Sequence, residues 1–145
     1  MVIRPLFERT SIFFIGIVHH RQHSFHNSSN IPKTLEKSYV YLKTLYAAGD
    51  TVWCDDVKEA LLSHDPEVIV LNAGAAQFLK GGPITMTKED VYETHRAAPG
   101  AKIFVCHMEA LNHCLLTREE LDHYCSDLGM SSQVLIPKDG DSCSY

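Results

Sequence analysis

Two kinds of apolar segment alternate along most of this 145-residue chain, and this alternation limits its fold more than any other feature. The strand-type runs, short and mostly rich in β-branched or aromatic residues, are 39–47, 67–71, 102–106 and 133–137. The helix-type segments are 55–63, 87–97 and one that opens at Thr117. Strands separated by helices predict an α/β fold, with a layer of largely parallel strands and right-handed crossovers.

The two later helices carry sequence signals for their first residues. Thr87 with Asp90, and Thr117 with Glu120, have the spacing of a capping box. Residues 1–38 look different, because they contain one apolar strand-type run, Ile12–Val18, and then a loop rich in Ser, Asn and His. We therefore divide the chain into a divergent or truncated segment 1–38, a regular α/β unit 39–138, and a frayed tail 139–145.

Charge and cysteine content narrow the class of protein. The net charge of −5 argues against a nucleic acid or an anionic membrane as a partner. No apolar run approaches the roughly 20 residues that a membrane-spanning helix needs. The five cysteines form no Cys-x-x-Cys pair, so we expect reduced thiols and a cytoplasmic location.

Three polar residues follow the predicted strands at their carboxyl ends, where ligands gather in open α/β sheets: Asp50, Asn72 and His107. If the strands are neighbours, these side chains converge at one edge. Carboxylate oxygen and imidazole nitrogen are ordinary zinc ligands, although a catalytic zinc takes three protein ligands. The alternative is that Asp50 caps the following helix and that His107 is a hydrogen-bonded loop residue. We rank Asp50 low as a phosphoacceptor, because no acidic pair follows the first strand.

Other histidines are weaker candidates. His113 would share a helical face with Glu109 and could donate a proton, or it could simply pack at a helix start. The segment lacks the His-Glu-x-x-His pattern of zinc proteases. A further cluster, at positions 19, 20, 23 and 26, could bind a metal, but its composition favours a solvated loop.

Four motifs resemble the C-terminal half of a metallo-β-lactamase-fold hydrolase, in the branch similar to sugar-phosphate lactonases. They are Thr44–Cys54 with its central Gly-Asp, Val68–Ala75, Gly81–Met86 and Val105–Cys114. The match covers about residues 43–138. The resemblance implies half of an αββα sandwich, with zinc or manganese bound at one edge. It also implies that Asp50 matches the metal-bridging aspartate and that His107 matches the last histidine ligand.

The family's main ligand motif, His-x-His-x-Asp-His, does not occur in this sequence. We therefore expect a metal-dependent hydrolase of small molecules that is impaired or inactive as this chain. Asp50 and His107 are the predicted metal ligands, His113 a predicted catalytic residue, and Asn72 a predicted substrate-binding residue. The alternative is a non-catalytic fold remnant that binds a partner. Half a sandwich leaves one apolar sheet face exposed, so a homodimer covering that face is also expected.

Overall fold

The computed structural model of this chain describes residues 13–19, 41–109 and 111–141, with backbone only for 13–19 and 41–43. These residues form five strands and three helices in the predicted alternating order. In chain order they are β1 (Phe13–His19), β2 (Tyr41–Ala47), α1 (Asp55–His64), β3 (Val68–Asn72), α2 (Lys88–Ala97), β4 (Lys102–Cys106), α3 (Arg118–Asp127) and β5 (Val134–Leu135). The last strand is shorter than the predicted 133–137, because only two of its residues pair with β4.

The strands form one sheet in the order β1-β2-β3-β4-β5. From β2 to β5 every pair of neighbours is parallel, whereas β1 runs antiparallel to β2 at the edge. Right-handed crossovers between neighbouring parallel strands place the connecting helices on a single face of the sheet. The carboxyl ends of β2, β3 and β4 therefore lie side by side at one edge.

One face of the sheet forms the core with the helices. Tyr46, Ile69 and Ile103 occupy matching positions on β2, β3 and β4 and are fully buried. They belong to one apolar cluster with residues of all three helices, among them Val57 of α1 and Leu121 of α3. Each such side chain contributes about 1.5–3 kcal/mol when fully buried, so this layer is the main source of stability.

The opposite face of the sheet is also apolar but is less deeply buried. Leu45, Val70, Phe104 and Leu135 point to this side by strand alternation, and each is only partly buried. A single sheet with helices on one face agrees with the predicted half of an αββα sandwich. The homodimer expected to cover the second face stays a prediction.

The helix starts agree with the sequence signals in part. Thr87 and Asp90 form a complete capping box at α2. At α3, Thr117 accepts a hydrogen bond from the Glu120 amide, but the Glu120 carboxylate instead contacts Lys88 Nζ at 2.6 Å. Helix α1 has Cys54 at its N-cap and no side-chain cap, so the alternative in which Asp50 caps α1 is wrong.

Two predictions concern the ends of the chain. The tail was expected to fray after Lys138, yet 138–141 form a turn in which the Lys138 amide and the Asp141 carboxylate are hydrogen-bonded. Arg118 also contacts Asp139. The frayed tail 139–145 stays a prediction, since residues 142–145 lie outside the described part of the chain. The boundary at residue 38 and the histidine-rich loop lie outside the described residues, so both stay predictions. Among the described helices, none is both long enough and apolar enough to cross a bilayer.

Candidate functional site

Asp50 lies just beyond the carboxyl end of β2. The chain leaves the sheet after Ala48, and Gly49 takes a left-handed backbone conformation, with φ of 65°, that turns it toward β3. The Asp50 side chain is 61% exposed, and its Oδ1 accepts a 2.8 Å hydrogen bond from Nδ2 of Asn72, the last residue of β3. A carboxylate that follows β2 is thus oriented by an amide on the neighbouring strand β3.

His107 follows β4 and completes the group. Its Nδ1 lies 3.3 Å from Oδ1 of Asp50, and its side chain is 30% exposed. The structure therefore brings together the three residues, Asp50, Asn72 and His107, whose convergence we expected from the strand ends. Their roles as metal ligands and as a substrate contact stay predictions.

Cys106 is a fourth member of this group, and the sequence analysis missed it. Its Sγ lies 3.0 Å from Oδ1 of Asn72 and 3.5 Å from the carbonyl oxygen of Leu71. Burial, and to a lesser extent the negative charge of Asp50, raise the pKa of the Cys106 thiol, so the thiol is protonated and donates. The Asn72 amide can then point only one way, with Nδ2 toward the carboxylate and Oδ1 toward the thiol.

The strand register is what places Cys106 beside Asn72, because the two residues are paired across β3 and β4. The sequence shows Cys106 directly before His107 but does not show which residue of β3 faces it. A register shift of one residue would turn the thiol to the other face of the sheet.

The backbone around His107 is unusual. His107 and Glu109 both have left-handed conformations, with φ of 58° and 57°, which cost about 1–3 kcal/mol each and are found where surrounding contacts hold them. Between them, Met108 is 1% exposed and packs in the core. The carbonyl of His107 also closely approaches Gly74, where an added Cβ would lie 2.4 Å from that oxygen.

Arg118, the first residue of α3, contacts both this loop and the segment 137–139 that follows β5. Its amide and its Nη1 donate to the two oxygens of the Glu109 carboxylate at 2.9 and 2.6 Å, and Nη1 also donates to the Met108 carbonyl at 3.3 Å. Its Nε donates to the Pro137 carbonyl and its Nη2 to Asp139. These hydrogen bonds from Arg118 lower the pKa of the Glu109 carboxyl.

The structure does not place His113 with the other predicted residues. The segment that contains it is a loop, so the predicted helical face shared with Glu109 is wrong. The His113 ring stacks on Phe78 with the ring centroids 6.1 Å apart, and the His113 carbonyl accepts a hydrogen bond from the Gln77 amide. These contacts join the loops after β3 and β4. The catalytic role of His113 stays a prediction.

The fit of a metal ion can be judged from the donor atoms. Two ligands bonded to one tetrahedral zinc at about 2.1 Å lie about 3.4 Å apart, and the Asp50 and His107 donor atoms are 3.3 Å apart. The hydrogen bond from Asn72 is the kind of support that metal-binding carboxylates usually have. Among residues 44–109 and 111–141, whose side chains the structure describes, however, no group of three His, Cys, Asp or Glu residues could hold a metal. The described residues thus fit two positions of a coordination sphere.

Known proteins similar to this chain match it over most of its own length but over less than half of theirs. No protein-family model matches. The chain is 50% identical over 103 residues to the UPF0173 protein YddR of Bacillus subtilis (strain 168), which corresponds to 71% of this chain and 41% of that protein.

Two solved structures also match most of this chain but less than half of their own length. The isothiocyanate hydrolase from Delia radicum gut bacteria superposes with a TM-score of 0.68 and 45% identity, over 71% of this chain and 40% of the other. A possible metal-dependent hydrolase from Veillonella parvula DSM 2008 superposes with a TM-score of 0.66 and 38% identity, over 69% of this chain and 38% of the other. The chain thus spans about 40% of the length of these relatives.

Proposed function

We propose, on the premise that this chain is a partial relative of the metal-dependent hydrolases with the metallo-β-lactamase fold, that it contributes two metal ligands to a hydrolytic site. Asp50 and His107 are the two ligands. Asn72 orients the Asp50 carboxylate, and the Cys106 thiol fixes the orientation of Asn72. A bound metal would supply Lewis acidity and an activated water for hydrolysis of a small molecule.

The observation that carries this proposal is the 3.3 Å separation between Oδ1 of Asp50 and Nδ1 of His107. The two residues follow β2 and β4, which are not neighbours in the sheet, yet the separation of these atoms suits two ligands of one ion. A helix-capping role for Asp50 would not require this contact. Zinc and manganese are the proposed ions, because the family resemblance implies them. Zinc takes both carboxylate and imidazole ligands, and manganese favours carboxylate oxygen.

Calorimetric titration of the full chain with Zn²⁺, and separately with Mn²⁺, tests the proposal. We expect saturable binding that Asp50→Ala and His107→Ala each weaken at least about tenfold, because each removes a direct ligand. His123→Ala removes an exposed imidazole on α3 and serves as the matched control, with no change in affinity expected. Binding that ignores both site substitutions, or no binding at all, would contradict the proposal.

A second function is a module that binds a partner and has no catalytic role. Two observations favour it. The described residues supply only two potential metal ligands at this site, and the apolar second face of the sheet is partly exposed. In that case the titration shows no metal binding. A homodimer is the proposed form of the complex. Size-exclusion chromatography with light scattering would detect it as a species of twice the monomer mass.

The similar proteins suggest a substrate class, and the cysteines suggest a location. Because one relative is an isothiocyanate hydrolase, an isothiocyanate is the first substrate class to assay with the metal-loaded chain. We propose a cytoplasmic location, since Cys54, Cys106, Cys114 and Cys125 are free thiols, as is usual in a reducing compartment.

A further inference from the structure

We propose that Arg118 is a positioning residue that holds His107 beside Asp50, acting through Glu109 and the Met108 carbonyl. The inference rests on the proposed ligand role of His107. Arg118 makes no hydrogen bond or ion pair with Asp50 or His107, so its effect would be transmitted by the loop that follows β4.

The geometry of the contact supports a role in holding the loop. The Glu109 carboxylate receives both the Arg118 amide and the Arg118 guanidinium, at 2.9 and 2.6 Å. Charge-assisted bonds that use both carboxylate oxygens fix direction as well as distance. Since Nη1 also reaches the Met108 carbonyl, the two residues directly after His107 are both held by one side chain, which is only 20% exposed.

The loop needs such support because its backbone is not self-stabilising. His107 and Glu109 both occupy the left-handed region, which non-glycine residues rarely adopt. If Arg118 released Glu109, the loop could relax toward commoner conformations, and the His107 ring would leave Asp50. Strained conformations persist only where neighbouring contacts determine them.

Arg118 also offers an internal control. Its Nη2 contacts Asp139 at 2.6 Å, on the side that leads to the end of the chain, and the Asp139 side chain is 89% exposed. Asp139→Asn and Glu109→Gln each remove one negative partner of the same guanidinium. Glu109 lies in the loop that carries His107, whereas Asp139 lies after β5, so only Glu109→Gln alters the His107 loop.

The experiment compares the wild type, Glu109→Gln, Arg118→Lys and Asp139→Asn by two measurements on the full chain. The first, without metal, is the NMR spectrum of the His107 ring nitrogens at fixed pH, assigned with His107→Ala and compared with Asp50→Ala. We expect Glu109→Gln and Arg118→Lys to move the His107 signals toward those of Asp50→Ala, and Asp139→Asn to leave them in place. Lysine keeps the charge but cannot reproduce the forked contact.

The second measurement is Zn²⁺ affinity by calorimetry. We expect Glu109→Gln to weaken binding about 10- to 100-fold, as for other groups that orient a ligand, and Asp139→Asn to change it less than twofold. Ring signals that do not move in Glu109→Gln, or that move equally in Asp139→Asn, would overturn the positioning role. Absence of Zn²⁺ binding in the wild type would refute the proposed function alone, because the metal-free spectra still decide the role of Arg118.

Discussion

Asp50 and His107 reach the same point at the edge of the sheet by different means. Asp50 is held by one side-chain hydrogen bond, from Asn72, on an exposed turn. His107 is held through its backbone, in a loop that is fixed by a buried Met108, a close approach to Gly74 and the Arg118 contacts. The first arrangement orients a carboxylate that could otherwise rotate, whereas the second orients the main chain.

This difference predicts how each residue responds to mutation. Substitutions that alter the His107 loop must also alter the packing of the protein, so they should lower stability. Substitutions around Asp50 should change its orientation with little effect on folding, because its surroundings are polar and exposed.

The largest effect is expected for Met108→Ala. This change removes a core side chain that is 1% exposed, from between two left-handed residues, and should lower the free energy of unfolding by about 2–5 kcal/mol. Urea denaturation measures it. Leu111→Ala, in the same loop but 51% exposed, is the matched control and should change stability by less than about 0.5 kcal/mol. Equal effects of the two changes would show that the loop is not anchored by Met108.

A smaller effect is expected for Gly74→Ala. The new Cβ would lie 2.4 Å from the His107 carbonyl oxygen, so the backbone must shift, at a cost of about 1–3 kcal/mol. Gly100→Ala is the control, because a Cβ there meets nothing within 4 Å. Denaturation of both variants measures the difference, and a neutral Gly74→Ala would mean that the His107 loop yields easily.

The smallest effect is expected for Asn72→Ala, which acts on the Asp50 side. Loss of its hydrogen bond should lower stability by about 0.5–1.5 kcal/mol. A double-mutant cycle with Asp50→Ala isolates the contact, and we expect a coupling of at least about 0.5 kcal/mol between the two residues. Strictly additive effects would show that the amide does not orient the carboxylate.

Much of the fold could be predicted from local patterns. The limits of α1, α2, β3 and β4 were predicted within one residue, because apolar periodicity and the Thr87 capping box are local signals. The resemblance predicted from four motifs agrees with the similarity of this chain to an isothiocyanate hydrolase and to a possible metal-dependent hydrolase, which are 45% and 38% identical to it over about 70% of its length.

One helix start and parts of the candidate site could not be predicted in this way. The second capping box is incomplete because Lys88, on another helix, attracts the Glu120 carboxylate. Cys106 was missed because its partner Asn72 lies 34 residues away on another strand. Arg118 was missed because its partners Met108 and Glu109, although only ten and nine residues away, are brought to it by an irregular loop and not by a regular helix or strand. No local signal encodes such contacts.

The sequence by itself determined the alternation of strands and helices and the polar residues at the strand ends, since period and capping depend on neighbours along the chain. Tertiary structure alone decided that Asp50 and His107 lie 3.3 Å apart, that Asn72 turns its amide toward the carboxylate, and that Arg118 secures the loop after β4. The physical reason is that sheet register and side-chain hydrogen bonds join residues brought together only when the helices bury one face of the sheet.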